Sequence, residues 1–468
     1  MRWLRVAAAL VLAAVALAAQ EDPPAVAFHR LRLEYTTTSD WTTLDVLNPA
    51  GILSSRLMET LGQPTRASAG LPQFALNQPL DSARGGATAG VVVDLAVAPG
   101  AAEEPLRFLL QKGSVGGSVV RLWLVREGGL DPIQSVEHRK VVPDSGGKNP
   151  LESLIDLGAL RAVAPRKMQV AAPGLKRMVW AFYYPWYGLA DWAQGAPRPR
   201  LQDRPATPYA SNDPEAMARH IEQAKGAGID GFISSWWGPG HSTDQNLKRL
   251  LEVARDRDFS VSIYFETLSN GKGREEAQIF DWLLYYLSTY RDHPALFKVG
   301  GKPLVVVWAS ATVPIEAWKR VFERLRERGL DAVYLAMSYD PANLSVFDGL
   351  HQYGIFTIPK LAETMALAGR ATRYYPLVAD TPEPKIWAAT VQPGYDDTLL
   401  PDRNGGQTRD REDGAFYRST WEAALASGPD WVFITTWNEW WEHTHIEPSE
   451  KFGDQYLRIT EEYARKWK

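Results

Sequence analysis

The chain has 468 residues, of which 45% are hydrophobic, so it is long enough and apolar enough for a large core and more than one domain. Its net charge is -4, with acidic and basic residues mixed along the sequence, which disfavours nucleic acid and other polyanions as partners. The absence of cysteine excludes disulfides, thiolate metal sites and a cysteine nucleophile. No phosphate-cradling glycine loop and no Gly-x-Ser-x-Gly elbow is present, and we predict that the protein uses no cofactor.

The start of the chain has the three parts of a signal peptide. Arg2 and Arg5 supply positive charge, an apolar run follows at 6–17, and small residues at 16–18 suit cleavage. The apolar run is short for a transmembrane helix, and no later segment is apolar enough to span a membrane. We predict a signal peptide at 1–20 and a secreted, periplasmic or cell-surface protein without an integral membrane segment; an uncleaved anchor is the alternative.

Residues 24–172 have the pattern of a small all-β domain. Short runs of alternating apolar side chains occur at 28–35, 90–96, 106–111 and 118–125, and Gly, Pro and Ser separate them. This pattern is typical of an antiparallel β-sandwich. We interpret the region as an accessory domain.

From residue 177 to residue 468 the pattern changes to alternating strands and helices. Asp213 and Pro214 mark the start of the first helix, since Asp is a favoured N-cap and Pro a favoured first helical residue. Apolar runs predict eight strands, at 178–184, 229–235, 259–265, 303–308, 332–337, 349–353, 386–391 and 431–436. Eight strands that alternate with helices predict a (β/α)8 barrel, and its active site is expected where the strands end.

Polar and aromatic side chains collect just after these strands, in the position where a barrel carries its site. One such residue alone is more often part of the core, but the repetition of the pattern favours a binding surface. Indole and phenol rings also offer flat faces on which sugar rings can pack. The candidates from these clusters are Tyr184, Trp186, Tyr187, Trp236, Trp237, Glu266, Tyr353 and Tyr395.

The most informative segment follows the eighth predicted strand and reads WNEWWE at 437–442. Its two carboxylates are surrounded by indoles, which argues against a solvated pair of surface glutamates. Breaking a glycosidic bond needs a proton for the leaving oxygen and charge stabilisation at the anomeric carbon, and paired carboxyl groups supply both. We predict Glu439 and Glu442 as the catalytic pair, with Asn438 and Trp441 beside them in the substrate site.

Other polar residues have two interpretations each. Glu447 fits either a loop hinge or an acceptor for a substrate hydroxyl, and Glu266 fits either a hydroxyl contact or a salt bridge with a strand-end arginine. Arg411 either orients a catalytic carboxylate or belongs to a solvated charged loop. A metal at His443 and His445 would need a third ligand and a different spacing, so we predict no metal and expect these imidazoles to hydrogen-bond sugar hydroxyls.

Several segments in chain order match one known pattern. They read FYYPWYG at 182–188, GIDGFI followed by WWG at 228–238, QPGYDD followed by TRDR at 392–411, and NEWWE followed by IEP at 438–448. Together they make residues 178–468 resemble glycoside hydrolase family 99, the endo-α-1,2-mannosidases and mannanases. Each segment alone would be a weak signal.

The resemblance implies a barrel enzyme that cleaves internal α-mannosidic bonds with retention and without a metal. Glu439 would act on the sugar 2-hydroxyl, Glu442 would be the general acid/base, and the intermediate would be a 1,2-anhydro sugar. The chain departs from the family pattern beside the acid/base. The family usually has His-Glu-Gly where Trp441-Glu442-His443 stands, and Gln where His445 stands. The N-terminal β domain lies outside the resemblance.

The stereochemistry of mannose fits this implied route. In an α-mannoside the 2-oxygen lies trans to the leaving group, so it can attack C1 from the back once Glu439 removes its proton and Glu442 protonates the leaving oxygen. In an α-glucoside the 2-oxygen is cis, which closes the route. Two alternatives stay open: a related barrel hydrolase that acts on another α-glycan, such as α-1,3-glucan, and a non-catalytic glycan-binding protein. The expected partner is a carbohydrate in every case.

Overall fold

A computed structural model describes residues 25–468, apart from 69, 114, 139–150, 194–200, 270, 380, 382 and 402. The predicted signal peptide at 1–20 lies outside the described residues. An all-β region of antiparallel sheets comes first, and a parallel barrel follows it along the chain. Within the described ranges, no helix is both long enough and apolar enough to cross a membrane.

The all-β region consists of two antiparallel sheets that enclose one apolar core. Side chains alternate across each strand, so that Leu31, Leu33 and Tyr35 of one strand all face this core. The first sheet contains Ala25–Thr37, Ile52–Leu61, Ala89–Val97, Ser118–Arg126, Gly129–His138 and Arg166–Gln169. The second sheet contains Trp41–Val46, Arg66–Ser68, Gln73–Asn77, Leu106–Lys112 and Leu151–Ile155. The predicted sandwich is confirmed, and the four strands read from the sequence are among these.

A buried charge cluster lies on the first sheet. The fully buried carboxylate of Asp94 accepts hydrogen bonds from the guanidinium groups of Arg30 and Arg32, each at 2.7 Å. We expect Asp94→Ala to lower the free energy of unfolding by about 3–5 kcal/mol, because it leaves two arginines without their buried counter-charge. Urea-induced unfolding would measure the loss.

The matched control for that variant is Asp131→Ala. Asp131 forms an ion pair with Arg126 in which both side chains are about half exposed. We expect this substitution to change stability by no more than about 1 kcal/mol. Equal unfolding midpoints for the two variants would contradict the importance given to the buried cluster.

The barrel closes on itself. Each of the eight parallel strands that the described residues form pairs with two neighbours, and the first strand pairs with both the second and the eighth. The strands are Met178–Tyr183, Gly231–Trp236, Ser260–Glu266, Lys302–Trp308, Val333–Met337, Gly349–His351, Ile386–Val391 and Trp431–Ile434. The predicted (β/α)8 barrel is confirmed, with all eight strands at the predicted places.

Two apolar layers hold the barrel together. In the first barrel strand, Trp180 and Phe182 point inward and join the rings of Tyr264, Trp431 and Phe433 inside the barrel. Their neighbours in the strand point outward and pack in the layer between strands and helices. Because side chains alternate between these two layers and both layers are buried, nearly every residue of a barrel strand is apolar, and the strands appear in the sequence as continuous apolar runs.

Helices surround the strands. The first begins at Pro214, with the Asp213 side chain accepting a hydrogen bond from the backbone N–H of Glu215, as the sequence predicts. The barrel helices are Pro214–Gly226, Ser242–Arg255, Glu276–Tyr290, Ile315–Arg326, Leu361–Arg373, Pro376–Ala379, Ala415–Ala426 and Gln455–Trp467. The helices Leu361–Arg373 and Pro376–Ala379 were not predicted from the sequence.

The all-β region packs against the barrel through the helix Leu361–Arg373. Ser54 donates a hydrogen bond to the carbonyl of Ala371 at 2.7 Å, and Arg370 donates one to the carbonyl of Pro49 at 2.7 Å. Phe28 and Ala96 belong to the same apolar cluster as the outer layer of the barrel. The outer apolar layer of the barrel therefore extends onto the first sheet.

Candidate active site

A cavity of about 500 Å³ opens at the C-terminal ends of the barrel strands. Its volume falls in the range of small-molecule sites. Aromatic rings, three carboxyl groups and one guanidinium form its wall. The lining residues are Tyr184, Trp186, Trp237, Glu266, Trp308, Tyr353, Leu400, Pro401, Arg403, Glu439, Trp441 and Glu442.

The segment after the eighth strand carries the two predicted catalytic glutamates. The amide of Asn438 fixes this segment to the first strand, because its Oδ1 accepts from the backbone N–H of Tyr184 at 2.7 Å and its Nδ2 donates to the Tyr184 carbonyl at 3.0 Å. The backbone N–H of Glu439 donates to the hydroxyl of Thr436 at 2.8 Å. Asn438 therefore positions the segment and does not line the cavity.

Glu439 is almost fully buried, and two donors converge on its Oε1 atom. The hydroxyl of Tyr187 donates at 3.2 Å, and the backbone N–H of Trp441 donates at 3.0 Å. Such donors stabilise a carboxylate. Burial and then the charge of Glu442 raise the pKa of Glu439 well above its usual range. Tyr187 thus holds a predicted catalytic group, although it is not part of the cavity wall.

Glu442 is more open to the cavity than Glu439. Its Oε2 accepts a hydrogen bond from the hydroxyl of Tyr353 at 3.1 Å, and its Oε1 lies 3.7 Å from Nη2 of Arg403. Burial raises the pKa of Glu442 to about 7, against the opposing effects of Tyr353 and Arg403. Near neutral pH the pair therefore retains at least one proton, which is the state that general acid/base chemistry requires.

Four indoles form the walls around the glutamates. Trp186 and Trp441 stack with their ring centroids 5.2 Å apart and their planes 10° from parallel. Trp237 donates from Nε1 to the hydroxyl of Ser235 at 3.2 Å, which fixes its ring, and Trp308 ends the fourth strand. Flat, fixed rings of this kind can pack against the apolar faces of sugars.

Glu266 faces the cavity from the end of the third strand. Its Oε1 accepts a hydrogen bond from the hydroxyl of Ser235 at 2.6 Å. Burial raises the pKa of Glu266 to about 8, so the carboxyl is largely protonated at neutral pH and can donate as well as accept. Arg274 donates to the backbone carbonyl of Glu266 at 2.7 Å. The geometry favours a hydroxyl contact over the alternative of a strand-end salt bridge.

Trp236 does not line the cavity, although the sequence predicted it as a substrate contact. Its side chain is fully buried, it donates from Nε1 to Asp244 at 2.9 Å, and it packs against Trp282 and Tyr286 of the neighbouring helix. Because consecutive side chains of a strand point to opposite faces, Trp237 faces the cavity and Trp236 faces the helices. The structure thus removes Trp236 from the surface that a sugar can touch.

Glu447 sits beneath the cavity wall. Its Oε2 accepts from the hydroxyl of Tyr209 at 3.1 Å and from Nε1 of Trp440 at 3.3 Å, and its Oε1 lies 3.0 Å from Nε2 of His220. All of these groups are buried. Glu447 therefore anchors the catalytic segment from below, and its carboxylate is not free to accept a substrate hydroxyl.

Arg411 and Tyr395 also act at a distance from the cavity. Arg411 is buried and donates from Nη2 to the carbonyls of His443 and His445, at 2.8 and 2.9 Å. It therefore fixes the backbone of the catalytic segment and touches neither predicted catalytic carboxylate. Tyr395 donates from its hydroxyl to Asp397 at 2.9 Å. Tyr395 therefore supports the loop that begins after it.

Part of the cavity wall was not predicted from the sequence. Leu400, Pro401 and Arg403 come from an irregular loop between Tyr395–Asp396 and Thr408–Arg409, where no periodicity marks them. Asp397, which the sequence marked only as part of a motif, forms a salt bridge in which its Oδ2 lies 3.2 Å from Nε of Arg403. The only sequence signal for Arg403 was a cationic residue in a loop that follows a barrel strand.

A closed (β/α)8 barrel with a buried carboxyl pair and indole walls at its strand ends defines the class of barrel glycoside hydrolases. The model of glycosyl hydrolase family 99 matches residues 205–460. The chain belongs to this family, as the sequence motifs predict.

Similar proteins come from distant organisms. The chain is 27% identical to a human glycoprotein endo-α-1,2-mannosidase-like protein, over 57% of this chain and 67% of the human one. It is 25% identical to the rat glycoprotein endo-α-1,2-mannosidase, over 63% of this chain and 75% of the rat protein. A solved family 99 endo-α-mannosidase from Bacteroides thetaiotaomicron is similar with a TM-score of 0.53 and 25% identity, over 63% of this chain and 98% of that one.

Proposed function

We propose that this protein is a retaining, endo-acting hydrolase of α-mannosidic linkages in mannan or another mannose-containing glycan. One observation carries the proposal: Glu439 and Glu442 line a single indole-walled cavity at the strand ends of the barrel. Membership of family 99 and the similarity to endo-α-mannosidases support the linkage type. The signal-like sequence at 1–20 supports export as the setting in which the enzyme meets its glycan.

The proposed reaction has two steps. Glu439 takes the proton of the 2-hydroxyl, the 2-oxygen attacks C1, and the glycosidic bond breaks while Glu442 protonates the leaving oxygen. The product of this step is a 1,2-anhydro sugar and a released glycan. Glu442, now ionised, then deprotonates a water that opens the epoxide at C1, and Glu439 returns its proton to the 2-oxygen. Two inversions at C1 give net retention.

The contacts of the two carboxyl groups support this division of roles. Oε1 of Glu439 accepts two hydrogen bonds, which partly offset the burial that raises its pKa and so help it to reach the ionised form that a base needs. Glu442 is held by one tyrosine hydroxyl and is more accessible from the cavity, where a leaving oxygen would lie. The nucleophile belongs to the substrate, so its proximity to C1 is built in.

The direct test is product analysis on a panel of α-1,2- and α-1,6-mannans and α-1,3-glucan. We expect release of oligosaccharides from mannan only, and proton NMR at early times should show the α-anomer first. Release from α-glucan alone would favour a related hydrolase with two directly acting carboxylates. Binding of mannan by calorimetry without any new reducing end would favour a non-catalytic glycan-binding protein.

Arg403 provides a test of the acid role through pH dependence. Its positive charge stabilises the ionised form of Glu442 and so lowers the pKa of that group. We expect Arg403→Gln to raise the pKa of Glu442 above about 7, and because the acid must be protonated, the alkaline limb of kcat/KM moves to higher pH. The measurement is a pH profile of mannan hydrolysis for the native and variant enzymes.

Arg409→Gln is the control for this profile, since Arg409 lies just after the same loop but pairs with Glu412. We expect its alkaline limb to coincide with that of the native enzyme. An Arg403→Gln profile that stays in place, or that moves to lower pH, would contradict Glu442 as the proton donor.

A further inference from the structure

Three buried polar atoms without hydrogen-bond partners meet behind the cavity wall. They are Oδ2 of Asp203, Nε2 of His443 and Nε2 of His445, and the three side chains are buried to more than nine-tenths. Each residue offers one potential ligand atom, and these atoms lie within 4.8 Å of one another. An unsatisfied buried polar atom is costly, so three at one point require an explanation.

The carboxylate of Asp203 is oriented toward this point. Its Oδ1 accepts hydrogen bonds from the backbone N–H groups of Arg204 at 2.8 Å and Lys451 at 3.1 Å. Its Oδ2 lies 3.3 Å from Nε2 of His445, which is longer than a well-formed hydrogen bond between a nitrogen and a carboxylate oxygen. Two ligand atoms bound to one tetrahedral ion at about 2.0–2.1 Å are separated by a similar distance. When one oxygen of a carboxylate binds a metal, hydrogen bonds to the second oxygen commonly hold the group in place, as the two backbone N–H groups do at Oδ1 of Asp203.

The two imidazoles are held in place by neighbouring rings. The ring of His445 stacks on Trp440 with centroids 3.8 Å apart and planes 20° from parallel. The ring of His443 lies against the rings of His445 and Phe452, with centroids 5.1 and 5.8 Å away. Two imidazoles and one carboxylate form a donor set that suits zinc and related divalent transition metals.

Arg411 limits the choice of metal. Its Nη2 lies 3.5 Å from Nδ1 of His445, so a positive charge is already near the cluster. The guanidinium also packs over the rings of Phe452 and Tyr456 and donates to backbone carbonyls. A weakly bound hard cation such as Mg²⁺ would not overcome this charge, whereas Zn²⁺ gains strong bonds to nitrogen.

His443 and His445 stand at positions where the resemblance described above implies Gly and Gln. His443 keeps a backbone φ of 52°, the left-handed region that glycine adopts most easily. The chain therefore places an imidazole at a position whose backbone favours the family's glycine. The third residue, Asp203, comes from a loop far away in sequence and could not be connected to them by spacing.

We propose that Asp203, His443 and His445 form a binding site for one divalent transition metal of the zinc class, with water as a further ligand. The metal ties the loop that contains Asp203 to the catalytic segment. It is separate from the sugar cavity, because none of its three residues lines that cavity. It is a structural site, and it does not depend on the proposed substrate.

The test is zinc binding by the full, tag-free chain after chelator treatment. Calorimetry and elemental analysis would give the stoichiometry, and Mg²⁺ and Ca²⁺ serve as hard-cation comparisons. We expect one Zn²⁺ per chain, a rise in Tm with Zn²⁺, and no response to Mg²⁺. Cobalt substitution should give the visible absorption of a low-coordinate nitrogen and oxygen site.

Substitutions of the proposed ligands test where the zinc ion binds. His445→Gln and His443→Gly restore the family's usual residues, and each should lower zinc affinity by at least about tenfold. His293→Gln, which removes an imidazole from another loop, should leave it unchanged. If His443→Gly disturbs the loop, His445→Gln alone decides the result. Absence of saturable zinc uptake by the native chain, or equal uptake by the native chain and His445→Gln, would overturn the proposal in favour of a hydrogen-bonded Asp–His pair.

Discussion

Replacement of Glu442 by Gln is expected to leave the fold intact and to lower kcat/KM on α-mannan by about 10²–10⁴-fold. Gln keeps the size of the side chain and an oxygen for the Tyr353 hydroxyl, but it cannot protonate the leaving oxygen. The measurement is steady-state hydrolysis of mannan, with Tm as the check on folding.

The leaving group provides an internal comparison for this variant. A mannoside whose leaving group departs without protonation, such as a dinitrophenolate, should lose much less in its first step. Glu450→Gln is the matched control, because Glu450 is an exposed glutamate a few residues along the same segment. Native-like turnover of mannan by Glu442→Gln would end the assignment of the acid.

Replacement of Glu439 by Gln is expected to lower activity by about 10³-fold on mannan and on the activated mannoside alike. The reason is that the 2-hydroxyl must lose its proton whatever the leaving group is. Gln still accepts from Tyr187 and from the backbone N–H of Trp441, so the catalytic segment should keep its place. Comparing the two variants on the two substrates separates the base from the acid.

Two modified substrates distinguish two mechanisms. If the 2-oxygen is the nucleophile, a substrate methylated at that oxygen should resist the native enzyme. If Glu439 is instead the nucleophile, a 2-fluoro mannoside should label it, and mass spectrometry of the digested protein would find the ester. Such a labelled peptide would contradict the 1,2-anhydro route.

Much of the barrel was predictable because its strands are buried on both faces and read as uninterrupted apolar runs. The strand Ile386–Val391, for example, was predicted at its observed bounds. The helix Leu361–Arg373 was not, because it begins after Lys360 in the left-handed region, with no capping side chain to mark its start. Several strands of the all-β region were missed because their alternation is short or interrupted by bulges, as in Ile52–Leu61.

The site was predictable where chemistry coincides with a strand end. Glu439 and Glu442 follow the eighth strand, and the structure places both in the cavity. Trp236 and Trp237 could not be separated by composition, since only the direction of the strand's pleat decides which ring faces the sugar site. Arg403 and Asp203 come from irregular loops, whose paths depend on tertiary contacts that local sequence does not encode.

The contact between Ser54 and the end of the helix Leu361–Arg373 has a practical consequence for anyone who dissects this protein. Removing the first sheet would expose the apolar side chains of the barrel against which Phe28 packs. It would also leave the carbonyl of Ala371, near the end of this helix, without its hydrogen bond from Ser54. We therefore expect a fragment that contains only the barrel to aggregate and to be poorly soluble. The protein is best produced, crystallised and engineered with both parts present.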